Sequence, residues 1–106
     1  MFRPDKVNIC GIEYSIEYVD NPVNVDLYKR DSMWGQIDSW TQSIRIYDNG
    51  KNNAECMQSL IHEVLHGIAD KLKLSSLQDD DNHDDLDVLS LALYDVFTRN
   101  GWFSFE

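Results

Sequence analysis

The sequence predicts an α+β fold, a small antiparallel or mixed sheet packed against two core helices. Three observations carry this reading. In the first half, Ile12, Tyr14, Ile16 and Tyr18 alternate with Glu13, Ser15 and Glu17, the period of a half-buried strand. In the second half, apolar residues recur every three or four positions, from Met57 to Leu72 and again from Leu86 to Phe97. The change falls at Asp48-Asn49-Gly50, a turn-forming stretch. With 106 residues the chain is one domain, 1–106, strand-rich over 7–47 and helical over about 53–73 and 83–100.

Each element has its own signals. Val7 to Cys10 predicts a short strand before the alternating one, and Gly11 between them a turn or bulge. Asp20-Asn21-Pro22 marks a turn, because proline cannot donate to a ladder. Segments around Met33 to Ile37 and Ser43 to Tyr47 predict a strand pair, with Asp38 to Gln42 as its turn. The first helix carries Met57, Leu60, Ile61, Val64, Leu65, Ile68 and Leu72 as one stripe, with Asn52 or Asn53 as its cap and Glu55 completing a capping box. Lys71 and Lys73 sit where the helix dipole favours cations. The second helix takes Leu86, Leu89, Leu93, Val96 and Phe97 as its stripe, Asn82 as its cap and Asn100-Gly101 as its stop. Trp102, Phe103 and Phe105 then predict an apolar tail folded back on the body.

Composition narrows the function. Nineteen acids against nine bases give a net charge of −10, which argues against nucleic acid and anionic membrane as partners and for a cation or a basic peptide. Six of the acids are aspartates within residues 79–87. This run is not an EF-hand, since counting from Asp79 the sixth position is Asp84 and the twelfth Ser90. A solvated loop leading into the second helix is the simpler reading. No apolar run matches a signal peptide or a membrane span. Two cysteines, Cys10 and Cys56, are read as reduced, partly buried thiols of a cytoplasmic protein.

The chemistry lies in His62-Glu63-Val64-Leu65-His66, an H-E-x-x-H motif inside the first helix. Histidines four apart project from one face, so their imidazoles can converge on one ion, and Glu63 can accept a proton from a metal-activated water. At this composition the motif has a chance expectation of about 0.004. On a wheel with Ile61 at zero, His62 and His66 fall at about 100° and 140°, the border of the apolar stripe. Small Ala69 shares that band.

A catalytic zinc needs a third protein ligand. On the second helix, with Leu89 at zero, His83 falls at about 120° and Asp87 at about 160°, a band shared by Ser90 and Tyr94. His83 is the first choice because imidazole is the better donor. Asp87 is the alternative, as ligand or as the acceptor that holds His83. Asp84 is a further acid nearby.

The stretch Gln58 to Ile68 around the motif resembles the zincin superfamily of metallopeptidases, and in particular the small HExxH proteins encoded by bacteriophages and prophages. The sheet-then-two-helices order and Leu89-x-Leu91-x-Leu93-Tyr94 are similar too, so the resemblance covers roughly residues 33–98. It implies a minimal zincin-like domain, His62 and His66 as zinc ligands, Glu63 as general base and a third ligand on the following helix. The chain departs from the family's longer signatures. Position 69 is Ala and 72 is Leu where H-x-x-G-x-x-H would continue, and no G-E-x-x-x-D follows.

Two functions follow. One is a Zn2+-dependent hydrolase, a metallopeptidase acting on a peptide or protein in the cytoplasm of a bacterial host or phage-infected cell. In it a strand near Ser43 to Tyr47 would align the substrate by β-addition. The other is a non-catalytic, zinc-stabilised interaction domain of a phage or prophage. Trp34, Trp40 and Tyr47 are read as strand packing rather than a substrate groove, and Tyr94 as boundary packing rather than an oxyanion donor. The oligomeric state is left open.

Overall fold

The computed structural model describes residues 3–28, 33–48, 53–74, 77 and 83–102, with only the backbone of Asn53, His83 and Asp84. It holds β1 (Lys6–Ile9), β2 (Ile12–Val19), β3 (Gly35–Asp38), β4 (Ser43–Tyr47), α1 (Asn53–Leu72) and α2 (His83–Arg99). The strands form one mixed sheet in the order β1-β2-β4-β3. β1 pairs with β2 and β3 with β4 antiparallel, and β2 runs parallel to β4.

The alternation in β2 does what its period requires. Tyr14 and Ile16 are buried while Glu13, Ser15 and Glu17 are exposed. Cys10 and Gly11 close the β1–β2 hairpin with φ of 52° and 94°, the two left-handed residues of a type I′ turn. Cys10 is therefore exposed at the tip, contrary to the expected partial burial, while Cys56 is buried; both are free thiols. Register puts Ile16, Ile44 and Ile37 side by side on one face, where they meet Met57 and Leu60 of α1. The loop after β2 covers the opposite face. Asn21 caps a 3-10 turn at Pro22–Asn24, Val25 and Asp26 are fully buried, and Arg45 donates from Nε to the Asn24 carbonyl at 2.9 Å.

α1 lies on the sheet and α2 lies on α1. α1 is consequently buried on two sides, with Cys56, Glu63 and Gly67 joining Met57, Leu60, Leu65 and Ala69 in the interior. A single apolar stripe did not anticipate this, and Leu72, placed in the stripe, is exposed. Gly67 makes the close approach possible, since a Cβ there would stand 2.8 Å from Ile37 Cδ1 and 2.9 Å from Ile9 Cδ1. α2 is turned relative to expectation. Leu86 and Ser90 are buried and Leu93, Tyr94 and Phe97 half-buried, whereas Leu89 and Val96 face solvent.

The stop at Asn100-Gly101 is a Schellman motif. Gly101 N–H bonds the Thr98 carbonyl, Trp102 N–H bonds the Phe97 carbonyl at 3.0 Å, and the Trp102 and Phe97 rings pack at 5.8 Å. Trp102 is otherwise mostly exposed rather than folded into the core. Phe103, Phe105, Asn52, Asn82 and most of the acidic run, together with the side chains of Asn53 and Asp84, lie outside the described residues. No helix among the described residues is long and apolar enough to cross a membrane.

Candidate metal centre

α1 brings the two motif histidines together. Their Nε2 atoms are 3.0 Å apart and their rings meet edge to face at 4.7 Å. Two nitrogens on a tetrahedral zinc with bonds of about 2.0–2.1 Å are separated by roughly 3.3 Å, so the pair is spaced to share an ion. Asp87 of α2 fixes the geometry of the first imidazole, its Oδ1 lying 2.9 Å from His62 Nδ1. With Nδ1 as the donor, the neutral ring presents the Nε2 lone pair on its far edge. The position considered as a third ligand, or as a support for His83, is thus occupied by a carboxylate that holds His62.

His83 is the first residue of α2, and its side chain lies outside the described residues. Among the described residues, no group of three His, Cys, Asp or Glu side chains forms a set that could hold a metal ion.

Glu63 sits on the sheet side of α1, 7% exposed, with Oε2 4.0 Å from His62 Nε2. Burial pushes its carboxyl up to about 8. A hydrogen bond from the Ile37 backbone opposes the rise, and the negative charge of Asp87 adds to it. Gly35 makes the slot, for a Cβ there would lie 3.0 Å from Glu63 Oε2 and 3.1 Å from its Cγ.

These groups open into a cleft of about 940 Å3 between the β3 edge, α1 and α2. β3 is an edge strand. Because the Trp34 carbonyl bonds Tyr47 N–H of β4, the alternation of an antiparallel ladder turns the backbone polar groups of Gly35 and Ile37 away from β4. The edge beside the cleft is therefore β3. β4 is paired on both sides and cannot accept a further strand, which corrects the expectation for Ser43 to Tyr47.

The aromatic residues divide. Trp34 packs edge-on against Tyr47 at 5.4 Å and also lines the cleft. Trp40, in the β3–β4 turn, is 90% exposed and packs in no core. Tyr94 packs against the core cluster and is not a cleft residue, and Ala69 is buried without lining the cleft.

Besides Gly35, three contributors were not singled out from the sequence. Asp70 lines the cleft one turn beyond His66, continuing the line of His62 and His66 at steps of four. That spacing was visible and could have marked it. Asp26 and Gln36 are the others: Gln36 Nε2 donates to Asp26 Oδ1 at 2.9 Å, and Gln36 Oε1 accepts from Leu27 N–H at 2.9 Å. They tie the covering loop to β3, and nothing in their spacing announces it.

No family model, curated protein or solved structure matches the chain.

Proposed function

We propose that this chain is a zinc-dependent hydrolase of the zincin type, a metallopeptidase acting on extended peptide in the cytoplasm. One observation carries the reading: two imidazole Nε2 atoms 3.0 Å apart, one ring held by Asp87, beside a buried glutamate at 4.0 Å. His62 and His66 would hold the metal, with His83 as the third ligand. His83 lies four residues before Asp87 and so shares its stripe on α2, the helix that brings Asp87 to His62.

Zinc bound there would act as a Lewis acid, making a water acidic and polarising a carbonyl. Glu63 would accept a proton near that position and return it to a leaving amine. Its low-dielectric slot strengthens its interaction with any cation at the histidines. Gly35 on β3 offers outward backbone groups along the cleft, where an extended peptide can add as a further strand.

Metal analysis and hydrolysis of an unfolded protein substrate test this together. Wild type is expected to carry one zinc per chain, and His62→Ala, His66→Ala and His83→Ala to lose it. Asp87→Ala should weaken zinc about 10–100-fold. Glu63→Gln should keep zinc and fold while losing roughly 100-fold or more in rate. Full activity in Glu63→Gln would remove the base assignment, and stoichiometric zinc in His83→Ala would remove that ligand. Tight zinc binding without hydrolysis of any substrate would leave the zinc-stabilised interaction domain.

A further inference from the structure

We propose that the chain pairs with a second copy of itself through the outer face of α2, antiparallel about a two-fold axis at Ala92. That face carries Asp85, Val88, Leu89, Ala92, Val96 and Arg99, all exposed. Val88 is 66% exposed, Val96 42% and Leu89 38%. The helix already has its intramolecular packing on another side, through Leu86, Ser90, Leu93 and Phe97. A second apolar strip on a helix of a small domain marks a contact surface.

Charge and symmetry identify the occupant. Asp85, Ala92 and Arg99 are spaced seven apart, two turns each, and so lie on one line. The line is acidic at its start, small at its centre and basic at its end. Antiparallel pairing about Ala92 sets Asp85 of each copy against Arg99 of the other, twice, and Val88 of each against Val96 of the other. Parallel pairing would set like charge on like charge, so electrostatics selects the antiparallel arrangement. The small side chain at the axis lets the two helices come close.

Arg99 already donates from Nε to Asp95 at 2.6 Å on its own helix, and its remaining guanidinium donors suffice for a second carboxylate. The cleft is reached by Asp87, Ser90 and Leu91, on other sides of α2, so pairing leaves it open in each copy. One helix pair is small beside a standard interface of about 1,600 Å2, and the dimer is accordingly weak and concentration-dependent.

Sedimentation equilibrium of the full chain tests the pairing. The mass of wild type should climb from 12.3 kDa towards twice that value between roughly 1 µM and 1 mM. Ala92→Glu should stay at the single-chain mass with an unchanged circular dichroism spectrum. Asp85→Arg should weaken association about tenfold, and Asp85→Arg combined with Arg99→Asp should restore it. In a Cys10→Ser background, Ala92→Cys should oxidise to a linked dimer, because the axis brings the two copies of that position together. A wild type that remains single-chain throughout, or a dimer that Ala92→Glu leaves intact, would overturn the proposal. Failure of the double charge reversal to restore association would overturn the antiparallel arrangement.

Discussion

Glu63 sits in surroundings far from those of an ordinary exposed carboxylate. In the metal-free chain burial lifts it from 4.5 to about 8, so the folded state holds its proton more tightly than the unfolded state does. Its contribution to stability is then fully present below about pH 4.5 and is lost as pH rises through about 8. At 1.36 kcal/mol per pH unit, the loss across that window is roughly 3–5 kcal/mol. Urea unfolding in the presence of a chelator should therefore show wild type weakening relative to Glu63→Gln between pH 5 and 8.5. Equal slopes in the two proteins would mean that Glu63 is not buried as described. A cation bound at the histidines, as proposed above, would reverse the preference by favouring the carboxylate. Gly35 belongs to the same arrangement, because a side chain there on β3 would press on the Glu63 carboxylate.

The ends of α1 and the rotation of α2 are decided at the scale of elements. α1 closes with Lys73 at φ 55° while Leu74 N–H bonds the Ala69 carbonyl, so a lysine occupies a left-handed position that suits glycine. Lys73→Gly should raise the stability of the chain by about 0.5–1 kcal/mol, read as a higher urea midpoint at unchanged slope. No change would mean that the lysine's own contacts offset its backbone strain. The extent of both helices was legible in the sequence to within a residue or so, because a 3.6-residue period and the Gly101 stop are local signals. The facing of α2 was not. The apolar stripe favoured Leu89 and Val96, yet the helix buries Ser90, whose hydroxyl bonds the Asp87 carbonyl at 2.8 Å and so enters the interior with its donor satisfied. Strand existence was equally local, whereas the parallel β2–β4 pairing joins strands that have β3 between them in sequence, which no local period reports.

For the molecule as a whole, a chain of 106 residues has a limited core, and a metal that binds only the folded state adds its binding energy to folding. The motif half of the site was legible because His62, Glu63 and His66 share one helix. Asp87 facing His62, the Asp26–Gln36 link and the Gly35 slot arise from packing between elements far apart in sequence, which no period reports. Those long-range supports give the linkage its direction. They hold the imidazoles together only while sheet, α1 and α2 are assembled, so the unfolded chain offers no comparable site. Zinc at 100 times its dissociation constant should then stabilise the chain by about 2.7 kcal/mol. For a domain of this size that corresponds to a rise in Tm of roughly 10–20 °C. Differential scanning calorimetry of chelator-treated protein with and without added zinc measures the shift. His66→Ala should abolish it, while Glu63→Gln should retain it because that change removes a proton acceptor and not a ligand. A zinc-induced rise of the same size in His66→Ala would place the ion elsewhere, and no rise in wild type would leave His62 and His66 as a hydrogen-bonded pair.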